Sequence, residues 1–318
     1  GMNIEFGPNA RIVVEPGANL TLQNCHFTGA CNQMWQGIQV YGNSAGNFGV
    51  LATPNDGSIN IIEDAVTGVA TFQYPILNFA TINAGLASIP DFNTLNGLVS
   101  LVFTNLWSLN VFNTANAQLL LRNVRFINCF MGINASWKPS QNDVIENCSF
   151  TTTAAGLRFP FTGFTRGEAG IFAIFNGTML IEGCNFQQMK FGIRTNASQS
   201  LTVIPETVTA TPCIFNNCLV GVSSRNFTAT AFPNVQITQN QFTGCATAIQ
   251  CQGSNATVFG NTIQNGAGQS SVGILMMGSS YAIGRNNQIT NVSRGIVSED
   301  TDMSGGLIHA NNGVNIDG

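Results

Sequence analysis

The sequence predicts an all-β solenoid, a chain wound into stacked coils. A motif recurs at an interval of about two dozen residues, which is the mark of a repeat architecture. Short strand-like fragments are punctuated by Asn and Gly, and no apolar pattern of helical period is sustained over ten or more residues. Of the 318 residues, 44% are hydrophobic and only 8% charged, against the roughly 25% charged residues of ordinary soluble domains. Surface polarity must therefore come from Asn, Thr, Ser and Gln, whose short side chains suit stacked turns better than solvated helices.

The motif couples an aromatic or aliphatic residue after Asn to a Gly-Ile-like pair. It reads Asn24-Cys25-His26-Phe27 with Gly37-Ile38, Asn123-Val124-Arg125-Phe126 with Gly132-Ile133, and Asn147-Cys148-Ser149-Phe150 with Gly156-Leu157. Gly183-Cys184-Asn185-Phe186 then leads to Gly192-Ile193, Phe215 to Gly221-Val222, Phe242 to Ala248-Ile249, Ile263 to Gly273-Ile274, and Ile289 to Gly295-Ile296. From Gly192 the pairs lie 29, 27, 25 and 22 positions apart, the drift that variable loops on a fixed coil would give. Fragments such as Arg11-Ile12-Val13-Val14, Leu119-Leu120-Leu121 and Val235-Gln236-Ile237 supply the strands. Coils of this kind stack about 4.8 Å apart with inward side chains forming ladders. Asn128, Asn217 and Asn291 each stand four residues before the Gly of their pair, which predicts an inward ladder of amides at a corner. Cys129, Cys218 and Cys245 each stand three residues before the Gly or Ala, which predicts a buried thiol ladder.

On these repeats the chain resembles the right-handed parallel β-helix, or pectin-lyase-like, superfamily. The opening Ala10-Arg11-Ile12-Val13-Val14-Glu15-Pro16-Gly17-Ala18-Asn19-Leu20-Thr21-Leu22, with Cys31 and Trp35-Gln36-Gly37-Ile38-Gln39-Val40, is similar to secreted bacterial surface proteins of the type IX secretion kind. The resemblance covers residues 9–69 and 117–312 and implies one domain over 1–318, about 10–12 coils in length. It also implies a secreted or cell-surface location, although the first residues show no basic-then-apolar signal pattern. Residues 70–116, with Phe72, Tyr74, Phe79, Phe92, Phe103, Trp107 and Phe112, depart from the repeat and are expected to form an insertion on the flank or over an end. A second irregular stretch, Arg158 to Glu168, is expected to wall a groove with it.

Composition narrows the chemistry. A net charge of −4 with two lysines, Lys138 and Lys190, leaves no basic stripe for nucleic acid. No apolar run reaches the roughly 18 residues of a membrane span. Nine cysteines cannot all pair within the chain; Cys25/Cys31, Cys213/Cys218 and Cys245/Cys251 are candidate local bridges, and none has zinc-site spacing. The two histidines, His26 and His309, sit in no Gly-His-Gly segment. Gly-x-Ser-x-Gly is likewise absent, so hydrolase and acyl-transfer signatures are missing.

The resemblance implies that a catalytic member would cleave an acidic polysaccharide by β-elimination, with Arg or Lys as base and Ca²⁺ or cations neutralising the uronate. Arg158, Lys190 and Arg194 are the candidates, the two arginines each following a Gly-Leu or Gly-Ile pair. Glycoside hydrolysis would need two carboxyls across the bond; Glu146 and Glu182 qualify by position but align with Arg122, which predicts an outward Arg-Glu-Glu column. Glu299, Asp300 and Asp302 form the densest acidic group and predict a solvated turn. Among Trp35, Trp107 and Trp137, Trp137 lies in a predicted loop and is the candidate for stacking on sugar. The expectation is an exported, noncatalytic β-helix for adhesion or carbohydrate binding, with polysaccharide or cell-surface glycan as partner and no metal or cofactor. The alternative is a divergent lyase or hydrolase acting on an acidic polysaccharide, for which alone Ca²⁺ is implied; a structural stalk is the third reading.

Overall fold

The computed structural model describes residues 1–43, 47–74, 117–226, 233–265, 271–283, 286–299, 307–308 and 316–317. A three-residue strand such as Asn185–Gln187 buries only its central Phe186, so it gains stability by pairing above and below rather than by its own length. Each of the ten described coils supplies a strand of three to five residues to the same ladder, paired in parallel with those of the neighbouring coils.

Three ladders result. The first is a ten-stranded sheet running from Met2–Phe6 through Cys25–Gly29, Asn60–Glu63, Val124–Ile127 and Ser149–Thr151 to Gln288–Thr290. The second follows Arg11–Val14, Gly37–Asn43 and Thr67–Tyr74 into the 16-residue strands Met131–Glu146 and Gly167–Glu182, then Met189–Asn196 and onward to Arg294–Glu299. The third begins at Asn19–Thr21, takes the C-terminal halves of the two long strands and continues through Ser200–Ile204 to Leu307–Ile308. The chain is a right-handed parallel β-helix of ten coils among the described residues, and Ile316–Asp317 opens another. The thread of the helix is the one parallel crossovers adopt.

The motif aromatics form the core of the first ladder. Phe126, Phe150, Phe186, Phe215 and Phe242 occupy one register position. Their rings stack nearly parallel with centroids 4.8, 4.8, 4.7 and 4.6 Å apart. Phe27 and Ile62 precede the stack, and Ile263 and Ile289 continue it. Near the start, Trp35 is fully buried and stacks on Phe6 at 4.3 Å.

The glycine before the motif Ile is crowded by that stack and by the carbonyl oxygen of the following coil. A Cβ on Gly192 would lie 2.6 Å from the ring of Phe215 in the following coil, and one on Gly221 would lie 2.7 Å from the ring of Phe242. Alanine appears at position 248, where the residue on the next coil is Ile263. The second-ladder register Ile133↔Ile171↔Ile193 shows that Gly170-Ile171, not Gly156-Leu157, belongs to the coil of Phe150. An excursion between Thr151 and Gly167 displaces the true pair in sequence.

Corners separate the ladders. Asn24, Asn123 and Asn147 have φ of 53°, 55° and 51°, and Gly183 has 58°, so the motif's leading Asn or Gly is chosen for a left-handed corner. Asn128, Asn217 and Asn291 are likewise left-handed, at 50°, 53° and 56°. They are not the predicted inward ladder, since Asn217 and Asn291 are exposed. The inward amides are Asn60, Asn240, Asn261 and Asn287, two residues before the buried Phe or Ile. Asn261 Oδ1 accepts from the Asn240 backbone N–H at 3.0 Å while its amide donates to Ile237 O at 2.9 Å; Asn287 repeats both contacts one coil on, at 3.0 and 3.2 Å. Cys148, Cys184 and Cys213 fill the same place in the preceding coils, and the Cys184 N–H donates to Cys213 Sγ at 3.3 Å.

All nine cysteines are free thiols, which removes the three local bridges. Cys129, Cys218 and Cys245 are buried at one corner; Gly167 and Met189 stand between Cys129 and the adjacent pair Cys218 and Cys245. Residues 70–74, assigned to the insertion by sequence, complete the strand Thr67–Tyr74. Residues 75–116, Asp300, Asp302 and His309 lie outside the described residues.

Candidate functional site

The excursion after Thr151 is a strap folded along the corner between the first and second ladders. Its Arg158 reaches back to the early coils, where Nη1 donates to Gly29 O at 2.6 Å and pairs with Asp64 Oδ2 at 3.1 Å. The Met34 N–H donates to Phe159 O at 3.0 Å, which fixes the strap's backbone. Phe161 stacks on Phe130 at 3.8 Å, with Phe164 edge-on to both rings. Phe159, 63% exposed, is left facing solvent. Asp64 is 1% exposed, and burial raises its carboxyl to about 6 despite the opposing pull of Arg158. Thr28 Oγ1 donates to the same Asp64 oxygen at 3.1 Å, and His26 pairs with the neighbouring Glu63 at 3.0 Å.

Lys190 and Arg194 share the strand Met189–Asn196 on the second ladder. Lys190 Nζ pairs with Glu168 Oε2 at 3.2 Å. Arg194 is 3% exposed, its guanidinium 4.7 Å from the Phe191 ring centre and 5.9 Å from that of Phe172. Burial, followed by repulsion from Arg225, lowers it to about 10. In register, Arg194 faces Phe172 and Ser223 rather than Arg158. Arg158 is tied to Asp64, three coils before that of Arg194 and about 14 Å from it along the axis at the ladder spacing. The three cations predicted as a cluster therefore do not converge. Around Arg194, the outward residues Met131, Ala169, Phe172, Ile174 and Phe191 form a second buried apolar cluster.

The Arg122, Glu146 and Glu182 column is present, with the three residues in register on adjacent third-ladder strands. Arg122 Nε meets Glu146 Oε2 at 2.5 Å. Burial, then the charges of Glu146 and Glu206, raises the Glu182 carboxyl, whereas hydrogen bonds from Thr209 and Val208 lower that of Glu206. Trp137 lies on the strand Met131–Glu146 instead of a loop; its side chain is outside the described residues. Glu299 ends a second-ladder strand. Among the described residues no group of three or more His, Cys, Asp or Glu is placed to hold a metal ion, and no helix is long and apolar enough to cross a membrane.

One surface was not singled out from the sequence. The residues on either side of each first-ladder core residue point outward, and from the fifth coil on they carry no charge. One column runs Thr151, Gln187, Asn216, Thr243, Gln264, Thr290; the other runs Ser149, Asn185, Ile214, Gln241, Thr262, Gln288. In four of these six coils both residues are exposed. In the earlier coils the same columns hold His26, Glu63 and Arg125. The signal was available as the triplets Asn-Phe-Gln, Gln-Phe-Thr, Thr-Ile-Gln and Gln-Ile-Thr, whose flanking residues repeat as faithfully as their centres.

No protein-family model matches the sequence, and no curated protein matches it. Solved structures match it at low similarity. A structure of the Streptococcus pneumoniae surface protein and adhesin PfbA is 11% identical with a TM-score of 0.43, over 98% of this chain and 88% of that one. A second PfbA structure gives 11% and 0.32 over 99% and 84%. The A-module of the Azotobacter vinelandii mannuronan C-5 epimerase AlgE4 is 10% identical with a TM-score of 0.22, over 99% and 91%. The strand pairing itself makes the chain a parallel β-helix.

Proposed function

We propose that this chain is an exported, noncatalytic binding protein that holds polysaccharide or cell-surface glycan, in the service of adhesion, against the uncharged flank of its first ladder. The carrying observation is the pair of uncharged columns from Ser149 and Thr151 to Gln288 and Thr290, all amide or hydroxyl side chains except Ile214. Asn and Gln each offer donor and acceptor groups, as sugar hydroxyls do, and neutral groups meet a neutral glycan without stripping ions of water. The columns repeat at the coil rise of about 4.8 Å, a spacing close to the advance of one ring in an extended pyranose chain. The cations first considered for β-elimination support this reading, because Arg158 and Lys190 are ion-paired and Arg194 lies beneath aromatic rings.

The test is a panel of immobilised neutral and uronate polysaccharides, with and without Ca²⁺, read for retention and for ultraviolet absorbance of unsaturated products. Neutral glycans should retain the protein without product. Placing Asp at both Thr243 and Gln264 should weaken retention roughly tenfold, the loss of one or two good hydrogen bonds, with an unchanged circular dichroism spectrum. Retention indifferent to both substitutions overturns the reading. Unsaturated product that disappears in Lys190→Ala replaces it with a lyase.

A further inference from the structure

The geometry points to a redox site in the corner between the first and second ladders: Cys218 and Cys245 are a cross-coil dithiol that closes to a disulfide by exchange with a disulfide-bonded molecule. Both side chains sit two residues before a paired position, Val220↔Thr247, on adjacent coils. Neighbouring coils lie about 4.8 Å apart, within the roughly 4.4–6.8 Å between α-carbons that a disulfide spans. The two thiols point the same way. Cys218 donates to Phe186 O and Asn216 O at 3.7 and 3.8 Å, and Cys245 to Phe215 O and Thr243 O at 3.7 and 3.9 Å.

Charge separates this pair from the other stacked thiols. The Arg166 guanidinium donates to Asn217 O, one residue before Cys218. Within the pair, the Cys245 thiol is drawn below its ordinary value, first by its interaction with Cys218 and in smaller part by Arg166, against burial, while the Cys218 thiol is raised by the same interaction and by burial. The column Cys148, Cys184 and Cys213 is stacked as closely, but burial pushes Cys213 up to about 12, and the Glu182 carboxylate adds to that. A thiolate forms beside a cation and not beside a carboxylate. Cys218 and Cys245 are 1% and 2% exposed, at a corner whose Asn217, Leu219 and Ala246 face solvent, so the exchange proceeds when that corner opens.

In the exchange, Cys245 Sγ attacks one sulfur of R–S–S–R, forming a mixed disulfide and expelling one R–S⁻. Cys218 Sγ then attacks Cys245 Sγ, forming the protein disulfide and expelling the second R–S⁻. Two protein thiols are oxidised, one external disulfide is reduced, and the two leaving thiolates take up the two protons.

The experiment treats the folded full chain with glutathione disulfide and maps tryptic peptides without reduction. Peptide 195–225 should appear linked to 226–285, lighter by two hydrogens, with fragment ions placing the bond on Cys218 and Cys245. Cys218→Ala should stop at one glutathione on Cys245, and Cys245→Ala should give no link. If either variant loses the wild-type circular dichroism spectrum, the fragment ions of the native protein decide. Failure to link while exposed Cys31 takes up glutathione, or a link on Cys213 or Cys251, overturns the proposal.

Discussion

The pairing of Gly221 with the ring of Phe242 shows how a residue choice in one coil is dictated by the next. A side chain there would meet the Ala248 carbonyl oxygen at 2.6 Å and the Phe242 ring at 2.7 Å; Ala248 beneath Ile263 shows that a Cβ is admitted where the ring is replaced, although Gly273 stays glycine against Ile289. Gly221→Ala should destabilise the protein by about 1–3 kcal/mol through overpacking. Adding Phe242→Ile should recover part of that loss, so a double-mutant cycle by denaturant unfolding should show a coupling above about 0.5 kcal/mol. Additive costs would mean that the contact does not set the glycine. The Gly-Ile pair was legible in the sequence as a period, but its cause was not, because ring and glycine lie in different repeats.

Among the elements, the strap from Thr152 to Arg166 departs furthest from the repeat. Its irregularity was legible between Phe150 and Phe186. Its landing place was not, because the contact of Arg158 with Gly29 joins residues 129 positions apart and nothing local encodes it. The same excursion misplaced a Gly-Leu pair into the coil and so set Arg158 beside Arg194, which the register undoes. The ion pair it makes is sensitive to pH. The Asp64 carboxyl is raised from 3.8 to about 6 in the fold, so its contribution to stability is fully present below about pH 4 and is lost as pH rises through 6. Wild type should therefore lose on the order of 2 kcal/mol across that window relative to Asp64→Asn, as followed by denaturant unfolding. Arg158→Met should cost about 3 kcal/mol above pH 7, where an ionised Asp64 is left buried and unpaired. The cost should shrink near pH 4, where the carboxyl is neutral. An equal cost at both pH values would show that the guanidinium acts through Gly29 O and packing instead.

For the whole molecule, stability is a sum over neighbouring coils, as in other solenoids. The five stacked phenylalanines add about 0.5–1.5 kcal/mol per ring pair beyond their burial, so the middle coils should be the most resistant to opening. Native-state hydrogen exchange should find the amides of Phe150, Phe186 and Phe215 slowest and those of Met2–Phe6 among the fastest; uniform protection would mean that the helix opens as one unit. The coil architecture was legible because its signal repeats in every coil. The polar flank was equally periodic but lay hidden beside louder aromatics, and the cations stood out only because charge is scarce. The parallel register has a further consequence for how such a chain can change. Each coil is a tile bounded by the same corners, so adding or removing one whole tile would lengthen or shorten the outer columns without reshaping what remains. The number of tiles thus sets the reach of the molecule while its cross-section is held constant.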